Sequence, residues 1–261
     1  MPQAKTRQQA QKLAVAALDL GGTKLASSLF TPKGRPIAKR TVPLEKRQGR
    51  EVGEPVVREV RRLMATATQR GLVVQAVGVS VPGIAGGRSG CIWAPNIAGW
   101  EDYPLKSEIR AAISQPAVKV VVDSDRAASI LGEAWQGAAR GCRDAIFLAV
   151  GTGIGAGILA DGRVLHGAHG IAGAIGWLAL DRPFRPEYTA CGCFESHASG
   201  EGIAKVCSAL LSRRKSYRGP LRTKRDITAH EVFMAYEDGD QLWLVAKKVS
   251  HWCGPRFLNV A

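Results

Sequence analysis

Leu18-Asp19-Leu20-Gly21-Gly22-Thr23-Lys24 joins two apolar runs, Leu13 to Leu18 and Leu25 to Phe30. Strand, tight Gly-Gly turn, strand is the natural reading. Two glycines let the backbone take φ > 0 and bring bare amide N–H groups close to an anion. Thr23 adds a hydroxyl and Lys24 a cation. Asp19, at the end of the first strand, offers a carboxylate to a metal or its water. A plain β-hairpin uses the same residues, so this stretch alone leaves both readings open. A second loop of the same kind, Gly151-Thr152-Gly153-Ile154-Gly155-Ala156-Gly157, also lies between apolar runs and shifts the balance towards anion binding.

Outward from these loops the pattern alternates strands and helices. Pro36–Val42 predicts a third strand, giving an antiparallel meander. Val52, Val56, Val57, Val60, Leu63 and Met64 are spaced as one face of a helix over 51–70, ended by Gly71. Val73–Val81 reads as a strand. A long loop, Ile84 to Tyr103, follows, and Pro104 opens a helix to about Ile113. Ala117–Val122 reads as a strand buried on both faces, ending in Asp123-Ser124-Asp125, with a helix over 127–138. Ala145–Val150 and Ile158–Ala160 flank the second glycine loop. Helical patterns cover 194–214, 226–238 and 241–253, the second with a capping box at Thr228 and Glu231. Gly151-x-Gly153-x-x-Ala156 also fits a variant of the dinucleotide fingerprint. The strand that follows, where a helix is required, argues against it. The whole predicts two α/β lobes with a cleft between them.

The bulk numbers fit that size. A chain of 261 residues with 46% apolar and 22% charged residues buries a sizeable core. No apolar run reaches transmembrane length and no signal peptide is evident, so a cytoplasmic protein without membrane contact is expected. The six cysteines, of which only Cys191 and Cys193 are close, are then expected to be free thiols. The net charge of +14 raises the question of a polyanionic partner. The basic blocks, Lys33 to Arg50 and Arg213 to Arg225, read as solvated surface, and no DNA- or RNA-binding signature accompanies them. No specific nucleic acid is expected.

The order of these motifs resembles the ROK family of sugar kinases over roughly Ala14 to Val249. The resemblance implies the actin-like ATPase (ribonuclease H-like) fold, α/β with two lobes: a basic leader over 1–12, a first lobe over 13–122 and a second over 123–261. It implies that Asp19, Gly21, Gly22, Thr23 and Lys24 and, opposite them, Gly151, Thr152, Gly153 and Gly155 hold the phosphates of ATP with Mg²⁺. Val81-Pro82-Gly83 and Ala94-Pro95-Asn96-Ile97-Ala98-Gly99-Trp100 resemble the sugar loop, with Asn96 as a sugar contact. Asp125 matches the catalytic base, which takes a proton from the sugar hydroxyl that attacks the γ-phosphate. Read without the family, Asp125 is first of all a cap for the helix after it, and the family context reverses that reading. Ser124 stands where the family carries an asparagine sugar ligand. Glu195, in Gly192-Cys193-Phe194-Glu195, matches a sugar-binding glutamate. The implied partner is a hexose or amino sugar, and a homodimer is implied as well.

Departures from the family pattern matter as much. In Gly170-Ile171-Ala172-Gly173-Ala174-Ile175-Gly176-Trp177 the family's second sugar-binding glutamate is Ala174. Its zinc-binding histidine is Trp177. Two of the zinc cysteines fall on Pro186 and Tyr188, leaving Cys193 as the one ligand in register, so zinc is not expected. Trp177 is expected to fill the vacated volume. Losing the carboxylate at Ala174 removes an interaction worth about 1.5–3 kcal/mol. The family also continues past a segment like Phe257–Ala261 into an adenine-site loop and a closing helix, so the second lobe is expected to be incomplete. These departures support a rival reading, a weakly catalytic sugar sensor. With about a dozen residues before the first strand, the DNA-binding domain of family repressors is not expected.

Overall fold

The computed structural model describes residues 12–45, 47–85, 90–94 and 96–240. The chain divides into two compact units, Met1–Ala128 with Ala168–Gly170, and Ser129–Gly167 with Ile171–Ala261.

The first unit is built on a five-stranded sheet. Strands β1 (Lys12–Leu20), β2 (Lys24–Phe30) and β3 (Pro36–Pro43) form the antiparallel meander, and β4 (Leu72–Val81) and β7 (Lys119–Ser124) run parallel to β1, in the order β3-β2-β1-β4-β7. Helix α1 (Arg50–Gln69) crosses from β3 to β4 and stops where Gly71 takes φ +64°. Its stripe of Val52, Val56, Val60 and Leu63 is buried in one core with Leu18, Leu20, Leu25 and Leu29. Within that face Glu59, 5% exposed, accepts from Ser27 Oγ and Arg62 Nε, both at 2.7 Å. A buried carboxylate is tolerated only when satisfied in this way.

The crossover from β4 to β7 is more ordered than its sequence suggests. Ile84–Ala85 (β5) and Ile92–Trp93 (β6) pair as a small hairpin inside the expected loop, and α2 spans Leu105–Ala111. Strand β7 departs from expectation. It is an edge strand with Val118 and Val120 buried and Val121 41% exposed, so its valines alternate rather than face apolar layers on both sides. A Val run carries no period-2 signal, which is why the sequence hid this. Helix α3 follows over Asp125–Gln136.

The second unit opens on another antiparallel meander, β8 (Ala145–Val150), β9 (Ile154–Ala160) and β10 (Arg163–Val164). Strand β9 begins four residues earlier than its apolar run, because Gly155 and Gly157 pair with Ala149 and Phe147 as ordinary ladder residues. A strand therefore follows Gly151–Gly153, and the dinucleotide fingerprint lacks its helix. The β9–β10 turn is Asp161-Gly162, φ +50° and +74°, the two-residue form that matches strand twist.

The expected helix over 194–214 is split. Helix α4 spans Tyr188–Cys191, α5 Cys193–Ala198 and α6 Gly200–Arg213. Ser199 breaks the run: its backbone is extended and its side chain caps α6 by accepting from the Gly202 amide. Helix α7 (Ala229–Glu237) carries the expected capping box, Thr228 with Glu231. Helices α6 and α7 share a core of Ile203, Cys207, Leu211, Val232 and Ala235. The helical pattern over 241–253 and the segment Phe257–Ala261 lie outside the described residues. Among the described residues no helix is long and apolar enough to cross a membrane.

Candidate active site

In the first unit, the C-terminal ends of the parallel strands β1, β4 and β7 bring acidic groups together. Asp19, Ser80 and Asp123 are register partners across the three strands. Ser80 Oγ donates to Asp19 Oδ1 at 3.0 Å. Sequence reasoning missed Ser80; its one signal was a lone hydroxyl in the apolar strand before Pro82-Gly83. Asp125 follows two residues after Asp123 as the first residue of α3.

The cap question at Asp125 resolves onto its neighbour. Ser124 Oγ accepts from the Ala127 amide at 3.2 Å, the N-cap bond. Asp125 is exposed, and its Oδ1 accepts from the adjacent Arg126 amide at 2.8 Å. Ser124 is 8% exposed and committed to the cap, which limits what it offers a ligand. Although Asp125 keeps solvent contact, partial desolvation at the strand ends raises its carboxyl above the usual value. Arg126 opposes this and the Asp19 carboxylate adds to it.

The glycine turns work differently from the expectation of positive φ. None of Gly21, Gly22, Gly151, Gly153 and Gly155 is among the glycines with positive φ. The Gly21 amide donates to the Lys24 carbonyl at 2.9 Å, closing a tight turn on exposed Gly22 and Thr23, with Lys24 exposed beside them. Gly22 and Gly151 border open space instead: a Cβ on either would meet nothing within 4 Å. Positive φ is needed instead at Gly173 (+85°), whose Cβ would lie 1.8 Å from the Ala156 carbonyl oxygen. That carries the 171–177 stretch against β9.

Asn96 stands exposed on a separate turn of the first unit. The turn is closed by Ala94 N–H to the Trp100 carbonyl, 2.8 Å, and anchored by Trp100 Nε1–H to the Gly49 carbonyl, 2.9 Å. Pro95 lies outside the described residues.

In the second unit, Thr152 is exposed at the tip of the β8–β9 turn and Gly153 packs on Glu195. Glu195 Oε2 accepts from the Ile154 amide at 2.6 Å, a contact 41 residues long in sequence that no motif announced. Trp177 is 56% exposed, contrary to the expectation that it fills the interior. Tyr188 takes that role, 4% exposed, with its hydroxyl 2.7 Å from His197 Nε2 and Cys193 close by in the same interior. Among the described residues the donors do not fit zinc. Trp177 and Pro186 bring none, and Tyr188 brings a phenol that already engages His197. Cys191 Sγ lies 3.2 Å from Ser196 Oγ, and burial pushes the Cys207 thiol up to about 11 inside the α6–α7 core. Tyr188→Phe is expected to cost about 1–3 kcal/mol of stability by removing the bond to His197, read as a drop in urea midpoint; no change would assign the loop's stability to packing alone.

The basic segment 213–225 is largely exposed. Arg222 donates to the Leu211 carbonyl, Arg218 to those of Lys215 and Tyr217, and Lys224 pairs with Glu231. Several of its cations are therefore spent on its own fold.

Comparison with known proteins places these features in context. The sequence model of the ROK family matches residues 15–253. A glucokinase from Halalkalibacterium halodurans is 29% identical over 255 residues, 94% of this chain and 75% of the relative. A xylose repressor from Caldicellulosiruptor bescii is 31% identical over 187 residues, 70% of this chain but 45% of the relative. The crystal structure of a ROK hexokinase from Thermus thermophilus superposes with a TM-score of 0.74 at 30% identity, covering 92% of this chain and 75% of that one.

Proposed function

The chain belongs to the ROK family and has its actin-like ATPase fold, and on that premise we propose that it is an ATP-dependent sugar kinase. It moves the γ-phosphate of Mg·ATP to a hexose or amino-sugar hydroxyl. The observation that carries this reading is Asp125: an exposed carboxylate at a strand end, relieved of capping by Ser124 and raised above its ordinary value by partial desolvation. A base of that kind accepts a proton from an attacking hydroxyl more readily than an ordinary aspartate.

The remaining roles follow from the chemistry of each group. Gly21, Gly22, Thr23 and Lys24 in the lobe 13–122, and Gly151, Thr152, Gly153 and Gly155 in the lobe 123–261, receive the ATP phosphates. Amides, a hydroxyl and an ammonium supply most of what phosphoryl transfer asks of a protein. Asp19 has the hard oxygen donors that suit Mg²⁺, which when bound offsets phosphate charge. Asn96, Glu195 and, within the limits of its cap, Ser124 hold the sugar. The glucokinase and hexokinase relatives support this class of reaction.

The similarity to a xylose repressor, together with Ala174, favours a second reading, a sugar-binding regulator that turns over little ATP. Titration calorimetry with a panel of hexoses and amino sugars, with and without Mg·AMPPNP, separates the two. A kinase binds both sugar and nucleotide. Sugar binding with no nucleotide binding supports the regulator, and binding of neither contradicts both.

A further inference from the structure

We propose that Glu195 is a positioning residue for the β8–β9 turn, so that one side chain couples the sugar end of the site to its phosphate end. The proposal rests on the kinase reading for its nucleotide arm and on geometry alone for its structural arm.

Both ends of the turn are held by one short stretch of chain. At the far end, Glu195 Oε2 accepts from the amide of Ile154, the first residue of β9, at 2.6 Å. At the near end, the Gly200 amide donates to the Gly151 carbonyl at 2.8 Å. Residues 195–200 thus grip Gly151 and Ile154, and the exposed Thr152 lies between the two grips. The carboxylate is closely confined. A Cβ on Gly153 and a Cβ on Gly176 would each come within 2.8 Å of the same Oε2. Two glycines from separate motifs therefore admit this side chain.

The consequence is preorganisation. A turn that receives anions through backbone amides binds well only if those amides already point correctly before the ligand arrives. Glu195 commits Oε2 to the Ile154 N–H, which leaves Oε1 to accept a sugar hydroxyl. Sugar bound at Oε1 then stiffens the side chain that holds the phosphate turn. The carboxylate missing at Ala174 makes Glu195 the one glutamate of the two that the family pattern assigns to the sugar.

Three variants separate a positioning role from a sugar-contact role. Glu195→Gln keeps an oxygen acceptor of the same reach. Glu195→Asp keeps the charge but shortens the reach, and Glu195→Ala removes both. Backbone amide exchange of Ile154, measured by NMR without ligand on samples whose circular dichroism matches the parent, is expected to accelerate about tenfold or more in the Ala and Asp variants and to stay near the parent rate in Gln. The KM for Mg·ATP is expected to rise about tenfold in Ala and Asp with little change in Gln, while Gln raises the KM for sugar. Parent-like Ile154 exchange in Glu195→Ala overturns the proposal. So does faster exchange with an unchanged KM for Mg·ATP. A parent protein that turns over no sugar contradicts the kinase reading instead, and the exchange rates then decide the clamp by themselves.

Discussion

Asp125→Asn is expected to lower kcat for sugar phosphorylation by about 10²–10⁴-fold while raising the thermal midpoint of unfolding. The two effects share one cause. Partial desolvation and the nearby Asp19 carboxylate raise the Asp125 carboxyl above its ordinary value. The folded state therefore holds that proton more tightly than the unfolded chain does. The resulting contribution to stability is present below the unfolded value and is lost as pH rises through the raised folded value. At neutral pH the ionised carboxylate opposes folding, and an amide of the same shape relieves it. Ser124 keeps the α3 cap in the variant, so no loss of a cap offsets the gain. The same raised value sets the acid limb of the rate profile: kcat/KM falls as pH drops through a value above that of an ordinary aspartate. Coupled assay and differential scanning fluorimetry check the pair. A variant with parent activity would remove Asp125 from the chemistry, and a lowered midpoint would make it a structural group.

Trp100→Ala is expected to destabilise the protein by about 3–5 kcal/mol and to raise the KM for sugar more than that for ATP. Trp100 is 1% exposed and stacked on Tyr103 at 4.4 Å, with the rings 6° from parallel. Tyr103 is itself seated tightly, since a Cβ on Gly53 would lie 2.1 Å from its hydroxyl oxygen, and that hydroxyl donates to Glu108 at 2.9 Å. The indole N–H reaches the Gly49 carbonyl, and the Gly49 amide returns a bond to the Ala98 carbonyl at 2.8 Å. The turn carrying Asn96 is thereby fastened to the start of α1. Truncation opens a cavity and unfastens the turn together. A loss of this size is a large fraction of the stability of an ordinary domain. Urea unfolding measures it, and a change below about 1 kcal/mol would show that the stack carries little of the fold.

The sequence made some of this legible because the signal was local. The Gly-Gly interruption between two apolar runs located the β1–β2 turn. The 3.6-residue spacing of Val52, Val56, Val60 and Leu63 located α1. The Thr228–Glu231 box located α7. Where the signal was tertiary, local reading failed. Ser124 and Asp125 are both good caps, and only the backbone geometry decides which hydroxyl or carboxylate reaches the Ala127 amide. Trp177 does not take the burial expected of it: Gly192 packs against the backbone of Gly176 and Trp177, and Tyr188 is the buried ring instead. The Glu195–Ile154 bond joins two motifs that are each readable, but their contact is not. The role of glycine was misjudged for a related reason: composition shows that a Cβ is missing, not whether φ or space requires it.

The central claim, that this chain transfers phosphate from ATP to a sugar, is tested most directly by ³¹P NMR of the purified protein with Mg·ATP and a panel of hexoses and amino sugars. The expected result is a sugar-phosphate resonance that grows with ADP for at least one sugar and is absent with Asp125→Asn. Folded protein that yields no sugar phosphate with any member of the panel would contradict it.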